Sequence, residues 1–317
     1  MCVVWEVFLQ VFTLFALMGA GFWLCRRGLF GDAAARGVAE LLVRVVTPCL
    51  IVEAFQRPCN SEMLGRLGAA FACSLAIQVG SMLLAAAAFR RLEGDGRVLR
   101  FAVVFSNAGF MGIPLEQAIL GSEGVFYGAA FVAVFNVLCW SWGLWTVSGD
   151  RRELSLRRLL VNPGLLGIAV GLPLFFASVR IPAPLDAPVK MLSDLNTPLA
   201  MVLVGAYLAR ADYSAAIRRP AAWAAAALRL VAVPALVVCA FWALVALGVR
   251  MDPTLALAMA IPAAAPVAAL TTIFSVRYRR NTALSAGLVA GTTLLSILTL
   301  PPMVALAHAV VSGVARP

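Results

Sequence analysis

The polar residues of this chain are confined to short intervals between long apolar runs. With a spanning helix taken as roughly 20 apolar residues, the pattern predicts ten membrane segments. They fall at about 5–25, 35–56, 65–89, 99–120, 123–147, 163–179, 187–209, 221–248, 253–275 and 282–312. Two of them cannot be continuous helices. Ser106-Asn107-Ala108-Gly109-Phe110-Met111-Gly112-Ile113-Pro114 sets two glycines, an asparagine and a proline inside the fourth segment, and Ile261-Pro262-Ala263-Ala264-Ala265-Pro266 interrupts the ninth. Such breaks free backbone groups that hydrocarbon cannot hydrogen-bond. Paired broken segments at matching places in two halves point to the binding site of a secondary transporter.

Composition agrees with lipid as the main solvent. Of the 317 residues, 62% are apolar and 13% charged, and the mean hydropathy is +0.95, more apolar surface than a soluble domain could hide. The first segment is expected to be retained rather than cleaved as a signal, because it lacks a basic leader, contains Glu6 and is too long for a signal core. The seven cysteines are scattered through apolar runs, with no metal spacing and no disulfide framework.

A net charge of +10 would suit a nucleic-acid partner, but its distribution assigns it to topology. The odd-numbered connections between segments hold Arg26, Arg27 and Arg36, then Arg90, Arg91, Arg97 and Arg100, then Arg151, Arg152, Arg157 and Arg158. Arg210, Arg218 and Arg219 follow, then Arg277, Arg279 and Arg280. The even connections hold only Arg57, Arg66, Arg180, Lys190 and Arg250. Basic loops stay in the cytoplasm, so both termini are expected outside, and no nucleic acid is implied.

Aligning the prolines exposes an internal repeat. Thr47-Pro48 in segment two matches Thr197-Pro198 in segment seven at an offset of 150, and Pro114 lies 148 and 152 residues before Pro262 and Pro266. Five segments is an odd number, so the second repeat enters from the opposite side. The expected fold is an all-α membrane protein of ten transmembrane helices, a 5+5 inverted repeat whose broken helices four and nine cross. Residues 1–149 form the first repeat, 150–161 a cytoplasmic joint and 162–317 the second repeat.

The run from Asn107 through Gly112, Ile113, Pro114 and Leu115 resembles the fourth span of the auxin efflux carrier family. Further matches are Phe135-Asn136 with Trp140, Trp142 and Gly143, Asn162-Pro163, and Pro198-Leu199-Ala200-Met201 with Gly205. Arg229 with Pro234, and Thr292-Thr293-Leu294-Leu295-Ser296 through Leu300-Pro301, complete the set. Ser106 stands where the plant exporters carry proline, and their long central loop is missing, which points to the bacterial-type permeases. The resemblance implies a scaffold and dimerisation domain of spans one, two, six and seven. It also implies a transport domain of spans three to five and eight to ten, and a dicarboxylate such as malonate or malate as substrate. A bacterial inner membrane, with its lipids, would be the setting.

Asn107 is the first candidate site residue. Its amide can bond a carboxylate through NH₂ or a cation through its oxygen; it can equally cap the second half-helix. Gly109 and Gly112 let the backbone open toward a ligand, and Pro114 suits the first turn of the following half-helix. Pro262 and Pro266 hold the mirror places. Half-helix N-termini offer N–H groups to an anion, but half-helix C-termini converge on the same point and would welcome a cation. The break alone leaves the sign of the substrate open.

Arg229, in mid-span, leans that sign toward anions. A guanidinium at the bilayer centre costs about 2.5–3.5 kcal/mol and is kept for a function or a partner. It either attracts a substrate carboxylate or acts as a snorkelling or carbonyl-bound structural group. Asn136 either faces the site or bonds a neighbouring helix. Arg44 and Asp194 each precede a Thr-Pro by three residues, which predicts a structural ion pair across the repeat axis; Glu40, four residues before Arg44, offers a competing partner. Glu53 and Glu116 are candidates for proton coupling, set against an interfacial place for Glu53 and a helix-dipole role for Glu116. His308 is expected at the membrane interface. No metal set, cofactor cradle or nucleophile triad stands out, so an enzyme is not expected.

These residues point to a secondary active transporter of a small organic anion, and the resemblance implies elevator-like alternating access and a homodimer through the scaffold. The alternatives are a sodium-coupled organic-anion symporter or a cation–proton antiporter of a related inverted-repeat fold.

Overall fold

A computed structural model describes residues 2–92, 94–150, 152, 165–211 and 214–313, with side chains omitted for 2–8, 10, 11, 214 and 215. The joint expected at 150–161 lies outside the described residues except for Asp150 and Arg152, as does Asn162-Pro163. The helices are α1 (Cys2–Arg26), α2 (Asp32–Leu41), α3 (Thr47–Ala54), α4 (Ser61–Ala88), α5 (Asp95–Val104), α6 (Ile113–Leu138) and α7 (Leu144–Ser148). They continue as α8 (Leu166–Phe176), α9 (Ala183–Asp194), α10 (Asn196–Arg210), α11 (Ser214–Ile217) and α12 (Pro220–Ala227). The last four are α13 (Val233–Ala246), α14 (Pro253–Ala264), α15 (Leu270–Arg277) and α16 (Thr282–Val311).

Among the described residues, five helical stretches, Ser61–Ala88, Ala108–Ser148, Ala183–Arg210, Pro220–Ala246 and Thr282–Val311, are long and apolar enough to cross a membrane. Phe12–Arg26, Leu166–Phe176 and Pro253–Ala264 are shorter apolar helices. The all-helical architecture is that of a multi-pass membrane protein.

Proline shapes several of these helices in one consistent way. Pro48, Pro114 and Pro234 are each preceded by a π-helical turn, at Leu42–Val46, Ala108–Gly112 and Leu228–Ala232. A helical proline has no N–H, and its ring presses on the carbonyl four residues back. Widening the preceding turn relieves that crowding. The amides of Thr47, Ile113 and Val233 accordingly donate five residues back, to Leu42, Ala108 and Leu228.

Gly121 provides a different break. Its φ of +65° and ψ of −155° interrupt α6, a conformation that costs a glycine little. The chain folds back there, so that Glu116 on one arm lies against Gly128 on the other.

The arginine-rich connections meet at one end of the molecule. Arg210 donates to the Phe30 carbonyl and pairs with Asp32 at 3.2 Å. Arg219 pairs with Asp95, which also accepts from Asn281 at 3.1 Å. Arg280 caps α7 through the Val147 and Ser148 carbonyls, 2.8 Å each. The even connections meet elsewhere. Arg66 bridges Glu62 and Asp252 at 2.6 Å each, Arg57 donates to Ser122 Oγ at 3.2 Å, and Ile181 N donates to Gln56 at 2.7 Å.

Helices α1 and α10 touch backbone to backbone. A Cβ on Gly21 would overlap the Val202 carbonyl, and one on Gly205 would overlap that of Met18. Packing this close needs the missing side chains. Gly205→Val should therefore separate α1 from α10 at an overpacking cost of about 1–3 kcal/mol. It should lower the melting temperature of the detergent-purified protein, whereas Gly65→Ala, with no neighbour near its Cβ position, should leave it unchanged.

Candidate functional site

The two broken segments cross as a short antiparallel bridge between Ser106 and Val267. Asn107 N donates to the Pro266 carbonyl at 2.7 Å, and Ala268 N donates to the Phe105 carbonyl at 2.9 Å. Pro266 fits because only its carbonyl is required. Val267 N donates to Thr292 Oγ1 of α16 at 3.1 Å. These bonds satisfy part of the backbone that the breaks release.

Arg229 serves much of the remainder. It is 2% exposed, and its guanidinium lies between the C-terminal ends of α5 and α14. One terminal nitrogen donates to the carbonyls of Val103 at 3.0 Å and Val104 at 3.3 Å. The other donates to Pro262 at 3.4 Å and to Ala263. Of the two readings of this residue, the geometry is that of the carbonyl-bound group. One positive charge faces the negative ends of both half-helices.

The opposite ends of the break are arranged differently. Asn107 stands at the N-terminus of the segment leading into α6, yet its side chain makes no capping bond. Its carbonyl instead accepts from Met111 N and Gly112 N, both at 3.1 Å. The amide side chain borders two adjoining cavities. One, of about 280 Å³, is lined by Ser106, Asn136, Thr47, Phe135 and Trp140 among others. The second, of about 660 Å³, shares Asn107, Phe110, Leu270 and Ile273 with the first and extends past Glu40, Arg44, Tyr207 and Arg210. It therefore reaches toward the arginine-rich end.

Gly109 is exposed on the wall of the smaller cavity, with open space where a Cβ would stand. Gly112 is buried, and a Cβ there would make an ordinary van der Waals contact with Pro262 at 3.5 Å, which places the two half-helices side by side. Pro114 is buried, and its carbonyl lies 3.5 Å from Thr197 Oγ1. Asn136 Nδ2 donates to Val132 O of its own helix at 2.8 Å. Asn136 also lines the smaller cavity.

Other candidates fall away from the crossing. Arg44 and Asp194 are both exposed, and no ion pair joins them among the described residues. The expected repeat equivalence predicted a pair, but their side chains form no ion pair. Arg44 makes no ion pair with Glu40 either; both border the larger cavity. Glu53 accepts from Ser193 Oγ. Glu116 is 1% exposed, with Oε2 lacking a hydrogen-bond partner. His308 is half-buried, with Nε2 3.3 Å from Ser312 Oγ. Among the described residues no group of His, Cys, Asp and Glu could hold a metal.

Ser106 was legible only as a departure from a motif. Its hydroxyl is buried at the crossing, has no hydrogen-bond partner, and borders the smaller cavity. Toward the end away from the arginine-rich connections, Phe55, Phe126 and Phe175 pack with centroids 5.0–6.0 Å apart, Arg57 lies 4.8 Å over the Phe126 ring, and a separate cavity of about 660 Å³ is lined by Glu62, Arg66 and Asp252 among others. Burial pushes the Arg57 guanidinium below its ordinary value, with Glu123 and Tyr127 acting the other way.

An all-helical membrane architecture with two crossed, interrupted helices beside a cavity belongs to the membrane transport proteins. The chain is a member of the membrane transport protein family, the auxin efflux carrier group, whose sequence model matches residues 6–304. It is also similar to an uncharacterized transporter of Methanothermobacter thermautotrophicus, 24% identical over 204 residues. That match takes in 62% of this chain and 66% of the relative, just under two thirds of its length.

Replacing Arg229 tests the carbonyl contacts directly. Arg229→Leu should destabilise the purified protein by about 3 kcal/mol, the scale of losing charged hydrogen bonds and stranding their acceptors. Arg229→Lys should recover only part, since one ammonium cannot fork across two helix ends. Equal melting temperatures for wild type and Arg229→Leu would show that other groups satisfy the carbonyls.

Proposed function

We propose that this protein is a secondary active transporter that moves a small organic anion across the cytoplasmic membrane by alternating access. The anion's carboxylate sits at Asn107. The observation that carries this reading is the partition of the crossing. Arg229 occupies the half-helix C-termini, while the Asn107 amide and the N-terminal end beside Gly109 border the cavities. With the negative ends engaged, the field that a ligand meets is that of the positive ends. An anion is favoured over a cation.

In this reading the chain crosses the bilayer ten times as two inverted repeats. Two reciprocal ion pairs support it. Arg66 on span three binds Asp252 before span nine, and Arg219 before span eight binds Asp95 at the start of span four. A two-fold axis in the membrane plane exchanges such pairs. The conformation is open to the cytoplasm, through the cavity that passes Arg44 and Arg210. Spans three to five and eight to ten move against a scaffold of spans one, two, six and seven, which also forms the dimer. A dicarboxylate fits the charge pattern: one carboxylate lies at Asn107, and the other faces the Arg44 side.

The test is counterflow of radiolabelled malonate or succinate in proteoliposomes. Asn107→Asp puts a like charge at the proposed carboxylate position and should abolish counterflow with the melting temperature unchanged; Asn107→Ala should weaken it. Undiminished counterflow in Asn107→Asp would remove the site from Asn107. Uptake that requires an inward sodium gradient would favour the sodium-coupled symporter, and proton release on adding sodium or potassium would favour the antiporter.

A further inference from the structure

Among the described residues, Glu116 is buried with no group to balance a charge. Its carboxyl is 1% exposed, Oε2 has no hydrogen-bond partner, and no ion pair among the described residues includes it. The site is nevertheless built for it. The turn at Gly121 brings Gly128 against Glu116, and a Cβ on Gly128 would overlap the carboxyl group itself. Gly128 thus leaves room for a carboxyl group whose Oε2 has no hydrogen-bond partner.

Among the described side chains, the charged groups of α3, α4, α6 and α10 and of the start of α14 are engaged as follows. On α6, Glu123 lies 3.7 Å from Arg66 and accepts from Tyr127 at 3.3 Å. Asp252, at the start of α14, and Arg66 of α4 pair with each other at 2.6 Å. On α3, Glu53 is bound to Ser193, and Arg57 beyond it bonds Ala54 and Ser122. On α10, Arg210 is held by Asp32 and the Phe30 carbonyl at the far end, and Tyr207 borders the larger cavity. A bare carboxylate in such a niche would bear its full desolvation cost, whereas the neutral acid bears a small fraction of it.

We propose that Glu116 is the proton-binding residue that couples transport to the proton gradient, and this rests on the transporter reading above. In the present conformation it holds one proton as the uncharged acid. It releases that proton to water, leaving the carboxylate, when movement of the transport domain opens the hairpin at Gly121. Glu116 is nine residues beyond Asn107 on the same broken span, so the proton site and the carboxylate site travel together. Glu53, already bonded to Ser193, is not required for the step.

Two measurements on the full chain test this. Infrared spectra of the purified protein at neutral pH should contain a protonated-carboxyl band, sensitive to deuterium exchange, that is lost in Glu116→Gln. Gly128→Ala keeps the acid but fills its niche, and should shift or remove the same band. An unchanged band in Glu116→Gln overturns the proposal. In proteoliposomes, Glu116→Gln should retain malonate counterflow at equal pH and lose accumulation driven by a pH gradient. Retained accumulation overturns the coupling role. Loss of counterflow as well, with the melting temperature intact, makes Glu116 part of the hairpin's structure and also overturns it. Should the wild type move no malonate, the transport reading fails on that substrate, while the infrared band still decides where the proton is held.

Discussion

The contact of Arg229 with the two half-helix ends is the interaction on which the crossing depends. Breaking two helices deep in an apolar protein strands carbonyls at both C-termini, and neither water nor lipid is there to meet them. A guanidinium has a planar fork of donors on one charge. It can therefore serve Val103 and Val104 on one helix and Pro262 and Ala263 on the other. The same bonds offset part of its own burial, with Nε left without a hydrogen-bond partner. The short bridge at Ser106 and Val267 then needs to satisfy only the strand-like residues between.

This arrangement gives the crossing a polarity. Two broken helices bring four ends together, two of each sign, and by symmetry alone the point would be neutral. Occupation of one pair by Arg229 leaves the other pair to face the cavities. The aromatic cluster of Phe101, Phe105, Phe135 and Phe274 packs close by and keeps the surroundings apolar, where such a bias is least screened. The same low dielectric accounts for the form assigned to Glu116, which has no counter-ion among the described residues.

Glycine and proline direct the backbone at the points where function is proposed. The π-helical turns before Pro48, Pro114 and Pro234 widen the helix where a proline ring would collide with it. Gly121 folds the hairpin, and Gly128 yields its side-chain space to Glu116. Gly21 and Gly205 bring α1 and α10 together in the same manner.

The sequence by itself determined what depends on local composition. Apolar runs set the helices, Gly109, Gly112, Pro114, Pro262 and Pro266 marked the breaks, and an arginine within an apolar span marked Arg229 as a residue with a partner. Tertiary structure alone decided what that partner is, because Val103 and Ala263 are remote in the chain and carbonyls carry no side-chain signature. It also decided that Asn107 leaves its cap position unused, that Arg44 and Asp194 stay apart, and that Glu116 lies opposite a glycine. Each of these depends on which atoms meet across helices. Periodicity fixes the face and height of a residue, but the approach of two helices to within a hydrogen bond is set by the packing of all the side chains between them.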